Sequence, residues 1–306
     1  MQTKPDDSLE REHAPPGSAV YYATLFAGRG PFAHRYRREA SIALHALRER
    51  WLDIIADTGE PHIKDHKINW WSDEIMEARD GHPRHPVSIA LSRHAGREFW
   101  RKPEVIGMLR AAGDAVAHGL SQKRDVEDFC RDFGGNCLAL KYGLVNAPQS
   151  ASSPSEDPSP PLDACTKDAS KVAALAACGR ALERAMLANP PPSLWAGLQG
   201  LFKASPADLE ERANTASHEE GDDTAKTHRQ RIRGAGDALS EALALISPAK
   251  DSLFLETEIL LRIRQAEIRL ASNLDKPRPT SITPLRKLFI AWRCARKAKA
   301  HKQHRS

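Results

Sequence analysis

Apolar residues return at three- and four-residue steps along most of this chain, and the strict alternation of a half-buried strand is absent. Ala40, Leu44, Leu47, Trp51 and Ile55 form the first stripe, with arginines and Glu49 opposite, and predict a helix over about 36–57 that Gly59 and Pro61 stop. Ile68, Trp71 and Ile75 predict a second helix over about 65–79. "GHPRHP" (81–86) reads as a turn, with Pro86 at the start of the next helix. Val105, Met108, Leu109, Ala112, Val116 and Leu120 mark a helix over 103–120. Val126, Phe129, Phe133, Cys137, Leu140 and Leu144 mark another over 125–144. Further helical patterns cover 164–189, 229–246, 251–272 and 283–299, and Ser205, Pro206 and Asp208 read as a capped helix start. The fold class is all-α.

Two stretches interrupt the pattern. Gly134-Gly135 sits inside a predicted helix at a cost of about 1 kcal/mol per glycine relative to alanine, which implies either that something approaches the backbone closely there or a kink. "APQSASSPSEDPSPPLD" (147–163) has almost no bulky apolar residue and cannot offset its ordering entropy, so it reads as a flexible insertion. The expected organisation is a disordered leader over 1–16, one helical domain over 17–299 and a basic tail over 300–306.

Composition narrows the class. The net charge of +5 is too small an excess to announce nucleic acid, and none is expected as a partner. Five cysteines, odd in number and without a CxxC pair, read as buried thiols in a reducing compartment. No secretory h-region and no run of 18 apolar residues is present, so the expectation is a cytoplasmic protein, soluble or peripheral at the inner membrane face.

Several segments together resemble one family. "YYATLFAGRGPFAHRYRREASIALHAL" (21–47), "INWWSDEI" (68–75), "HPVSIAL" (85–91), "DVEDFCRDFGGNCLAL" (125–140) and "SITPLRKLFIAWRCAR" (281–296) follow, in order, the helices of the squalene and phytoene synthases, the head-to-head prenyl synthases. The resemblance implies a closed helical bundle around an apolar cavity. Two acid-rich helix segments would face each other across its mouth and hold Mg²⁺ against the diphosphates of two polyprenyl substrates. The chemistry calls for that arrangement, because metal ions stabilise the charge that develops on a departing diphosphate.

Beside the family's first acid segment, of the form "DDIVDE", this chain has "LDIIAD" (52–57). Leu52 falls on the first aspartate and Ala56 on the third, while Asp53 and Asp57 keep a four-residue spacing rotated by about 100°. They read either as magnesium ligands or as the wet edge of a buried helix. Beside the second segment, of the form "GRALQLTNILRDVGED", the chain has "GRALERAMLANPPPSL" (179–194). There Glu183 replaces the glutamine, Asn189 the arginine and Pro190 the first aspartate. Asp53, Asp57 and Glu183 are the candidate metal ligands, and Arg37, Arg38 and Arg48 the candidate diphosphate contacts. Tyr22, Trp70, Trp71 and Phe133 are candidate cavity lining.

Other motifs have plainer readings. His62 and His66 have the spacing of helical zinc ligands but sit at a polar helix start, and His82 and His85 belong to a turn. The basic stretch 285–305, with Leu285, Leu288, Phe289 and Trp292 on one face, reads as a last core helix or as a contact with an anionic membrane surface. The resemblance therefore implies a non-canonical family member, like the branch that includes an assembly factor for respiratory complex I. It would bind a prenyl diphosphate, another lipid-like ligand or a protein partner without ordinary turnover. The alternative is a Mg-dependent prenyltransferase joining two polyprenyl diphosphates head to head.

Overall fold

The computed structural model describes residues 5–29, 37–146, 169–201, 220–246, 252–274 and 278–303, and every regular element among them is helical. In chain order these are α1 (Pro5–His13), α2 (Ala19–Ala27), α3 (Arg38–Ala56), α4 (Pro61–Asp80), α5 (Pro86–Ala95) and a 3₁₀ turn (Arg97–Arg101). Next come α6 (Pro103–His118), α7 (Lys123–Phe129), a π-helical stretch (Cys130–Gly135) and α8 (Asn136–Asn146). The rest are α9 (Ala169–Ala188), α10 (Pro192–Leu201), α11 (Glu220–Leu245), α12 (Ser252–Ser272) and α13 (Pro284–Gln303). The Pro/Ser-rich stretch 147–163, the helix start at 205–212, Cys165 and residues 1–4 and 304–306 lie outside the described residues.

Local chemistry sets the boundaries. Helices α1, α4, α5, α6, α10 and α13 each begin on a proline, where its missing N–H costs nothing, so the prolines serve as helix starts as well as marking the insertion. Ser18 caps α2 by accepting the Tyr21 N–H at 3.0 Å. Gly81 closes α4 in the left-handed conformation (φ 93°), which an ordinary side chain rarely adopts.

Three apolar clusters fill the bundle. The largest gathers α3 to α8 and α10 around Trp51, Trp71, Trp100, Met108 and Phe133. A second joins α9, α11 and α12 through Leu175, Ala185, Leu239 and Leu261. The third packs α2 and α13 on the other side of α12, through Ala23, Ile259, Ala291 and Cys294. Helix α12 thus lies at the junction of the last two. The four described cysteines, Cys130, Cys137, Cys178 and Cys294, are buried free thiols, and burial pushes Cys137 up to about 11.

The amino-terminal segment departs from the expected leader. Residues Pro5–His13 form a helix packed on α3. Leu9 is buried, the Arg38 guanidinium donates to Glu10 at 2.7 Å, and His13 Nδ1 lies 2.6 Å from Glu49. One apolar residue and a row of charges complementary to α3 suffice, a pattern too sparse for periodicity to reveal. Leu9→Ala should lower stability by about 2 kcal/mol, at the low end for a buried leucine because the site is at the edge of the core. Urea unfolding measures this.

Candidate functional site

Helix α3 carries chemistry on opposite faces. Ser41, His45, Arg48 and Leu52 follow steps of four, three and four and point into the bundle, with Ser41 and Leu52 almost fully buried. Arg50, Asp53, Ile54 and Asp57 line a hollow on the far side. At 3.6 residues per turn, Asp53 stands roughly 140° around the helix from Arg48.

Helix α9, which brings a partner to this inner face, crosses the π-helical stretch Cys130–Gly135 unusually closely. A Cβ on Gly134 would lie 2.6 Å from both the Gly179 carbonyl oxygen and Glu183 Cβ, so only glycine lets these two helices touch backbone to backbone. The close approach expected at Gly134-Gly135 is found, and the stretch is π-helical. The crossing carries Glu183 into the interior, its side chain only 1% exposed. Arg48 donates to Glu183 Oε2 from Nε at 2.9 Å and from Nη2 at 2.7 Å. The other oxygen, Oε1, is buried with no hydrogen-bond partner.

Beside this pair lies a second one. Lys141 of α8 and Glu256 of α12 form a buried ion pair, and Ser41 Oγ donates to Glu256 at 3.1 Å. Lys141 Nζ also lies 2.8 Å from His45 Nε2. The same nitrogen lies 3.3 Å from Glu256 Oε1, so it accepts from the ammonium or donates to the carboxylate according to the proton it carries. Burial, then the Lys141 charge, pushes His45 below its ordinary value against the pull of Glu256. Burial works to raise the Glu256 carboxyl, but Lys141 and then His45 outweigh it and hold it at about 2. Two cations, Arg48 and Lys141, face two anions, Glu183 and Glu256, so this buried polar group is electrically balanced.

The hollow on the outer face has a volume of about 400 Å³. Ile54, Trp70 and Trp71 give it apolar walls, and His66 and His85 complete it. The adjacent tryptophans divide their environments: Trp71 is buried and Trp70 is 38% exposed. Burial raises the Asp53 carboxyl above the ordinary carboxylate value, although Arg50 at 3.9 Å works against it. Lys67, bonded to Asp57 at 2.5 Å, and the Gly59 N–H lower the Asp57 carboxyl.

The structure therefore brings Asp53, Asp57, Trp70 and Trp71 to one hollow and leaves Glu183 and Arg48 together on the opposite face of α3. Arg37 donates to the His94 carbonyl at 2.8 Å and Arg38 to α1, so the three arginines do not converge. Phe133 stacks on Phe129 in the core, with ring centroids 4.9 Å apart. Tyr22 packs with the α2–α12–α13 cluster. His62 is exposed beside Glu60 at the start of α4.

Magnesium wants an octahedron of hard oxygens, most of them carboxylate, phosphate or water. Here Asp53 and Asp57 stand beside Arg50 and Lys67, and Glu183 is held by Arg48. Leu52 is buried on the inner face where the family's pattern would have an aspartate. Asn189, in place of an arginine, makes two hydrogen bonds with the Thr280 backbone, at 2.9 and 3.0 Å. Among the described residues no group of three or more His, Cys, Asp or Glu is arranged to hold a metal. These residues do not fit a cluster of magnesium ions.

Sequence reasoning missed the Ser41–His45–Lys141–Glu256 network. Its local traces are single polar residues in apolar runs: His45 in "IALHAL" and Lys141 in "CLALKYGL".

No protein-family model matches the sequence, and no curated protein matches it either. Solved structures do. The chain superposes on a dehydrosqualene synthase crystallised in complex with a ligand, with a TM-score of 0.54 and 13% identity over 97% of this chain and 100% of that one. It also superposes on squalene synthase HpnC from Alicyclobacillus acidocaldarius, with a TM-score of 0.50 and 17% identity over 87% of this chain and 90% of that one. At such identities the likeness is one of architecture. This chain has the all-α fold of the dehydrosqualene and squalene synthases.

Proposed function

We propose that this protein uses the isoprenoid-synthase fold for binding rather than turnover, and that its ligand is an isoprenoid or a similar lipid-like molecule. The observation that supports the reading is the separation of the acids: Glu183 is paired with Arg48 inside the bundle, while Asp53 and Asp57 line a hollow on the other side of α3. An ionised diphosphate needs clustered cations at the reacting end and a dry apolar chamber around the chain. The Trp70–Trp71 hollow is walled for an apolar group, and its charged lining is paired, Arg50 with Asp53 and Lys67 with Asp57. On this reading the protein works in the cytoplasm, at the inner face of the membrane. The second reading, a Mg-dependent head-to-head prenyltransferase, draws on the fold and on the open Oε1 of Glu183.

Pure protein with Mg²⁺ and farnesyl or geranylgeranyl diphosphate should release no pyrophosphate. The same compounds, or the prenyl alcohols, should raise the melting temperature by several degrees, since ligand at a hundred times Kd adds about 2.7 kcal/mol. Trp70→Ala should remove most of that rise. Pyrophosphate release abolished by Asp53→Asn or Glu183→Gln would establish the enzyme instead. Without a thermal shift from any prenyl compound, a protein partner becomes the ligand.

A further inference from the structure

Helix α13 buries one face and leaves a chemically distinctive one in solvent. Ala291, Cys294 and Ala298 pack against α2 and α12. On the opposite side Leu285, Phe289 and Trp292 are 75%, 56% and 42% exposed. Steps of four and three put them on one line over two turns. The rings of Phe289 and Trp292 lie 5.9 Å apart, and the Arg296 guanidinium lies 4.8 Å from the Trp292 ring centre. Pro284–Gln303 contains seven Lys and Arg and no acid. Of these, Arg286, Arg293, Arg296 and Lys299 are exposed around or just beyond the apolar line.

We infer that this face of α13 docks the protein in the plane of an anionic lipid bilayer. Leu285, Phe289 and Trp292 would enter the boundary between headgroups and chains, and the four cations would meet lipid phosphates. The charge pattern selects this occupant. The centre of a protein–protein interface is depleted of charge, whereas here cations stand within one turn of each apolar side chain. A second copy of the chain is disfavoured further, because a two-fold contact sets the same patch against itself and would oppose cation to cation. An in-plane membrane helix, by contrast, pairs Trp, Phe and Leu with Lys and Arg, and each cation near an anionic leaflet adds to binding. No helix among the described residues is long and apolar enough to cross a membrane, which fits contact from the surface. The inference deepens the membrane-face location proposed above but stands apart from the ligand reading, since it uses none of the residues of the Trp70–Trp71 hollow.

Sedimentation of the full chain with phosphatidylcholine vesicles, with and without about 30 mol % phosphatidylglycerol, tests it. The protein should bind the anionic vesicles about tenfold or more tightly than the neutral ones, and high salt should weaken that binding. Leu285→Ser/Phe289→Ser/Trp292→Ser should reduce binding by about tenfold with an unchanged melting temperature, because all three side chains are exposed. Arg286→Gln/Arg293→Gln/Arg296→Gln/Lys299→Gln should erase the preference for anionic lipid. Equal binding to both vesicles, no binding, or undiminished binding by the triple serine variant would overturn the inference. So would a wild-type dimer that the serine variant dissociates while neither form binds vesicles.

Discussion

Lys141→Met should destabilise the fold by about 3–5 kcal/mol, the scale expected when one partner of a buried ion pair is removed and the other remains charged. Glu256 is wholly buried, and its neighbours in the network include Ser41, His45 and Lys141. Without the ammonium it must either stay charged in the interior or take up a proton. Lys141→Met/Glu256→Leu should recover most of the loss, since two apolar side chains leave no orphaned charge. A double-mutant cycle by urea unfolding reads the coupling, and losses that simply add would show that the pair does not interact. By comparison, breaking the exposed Lys67–Asp57 pair should cost no more than about 1 kcal/mol. The network also sets a pH dependence. His45 titrates below its ordinary 6.5 in the folded chain, so as pH falls through that value the unfolded chain takes up its proton first and stability drops. Glu256 acts with the same sign at lower pH. Its ordinary value is 4.5 and its folded value about 2, so its contribution is complete above 4.5 and is lost as pH falls toward 2. Acid should therefore weaken the wild type in two stages. The double variant should lose the lower stage, and His45→Gln the upper one.

What the sequence made legible follows from how local each signal is. The stripe from Ala40 to Ile55 predicts a helix at 36–57, and α3 spans Arg38–Ala56. Apolar spacing likewise located α6. Helix α10 escaped notice because its apolar run is short and follows directly on a run of three prolines, the last of which is its first residue. Yet it packs on α3 so closely that Gly197 meets the Ala56 backbone. The shared face of Asp53 and Asp57 was legible from their spacing, but which face pointed inward was not, because rotation about the axis is set by neighbours far away in sequence. Arg48 and Glu183 are separated by 135 positions and Ser41 and Glu256 by 215. No window of local sequence registers such pairs. A lone lysine in an apolar helix is the most that shows.

The same distinction between local and distant causes predicts opposite effects for two helical glycines. Gly179→Ala should cost about 3 kcal/mol or more, although alanine is the better helix former. Its Cβ would collide with the carbonyl oxygen of Gly134, and both colliding groups are backbone, so no side-chain rotation relieves the overlap. Helix α9 would have to move away from the π-helical stretch, taking Glu183 from Arg48 and exposing Arg48 as a half-buried unpaired cation. Gly234→Ala on α11 meets nothing within 4 Å and should instead gain up to about 1 kcal/mol from helix propensity alone. Denaturant unfolding of the two variants side by side separates the effects, since a general intolerance of substitution would lower both. If Gly179→Ala proved as stable as the wild type, the backbone contact that drives Glu183 inward would not exist. If the contact does exist, Glu183→Gln should cost clearly less in the Gly179→Ala background than in the wild type, because the ion pair it removes would already be broken.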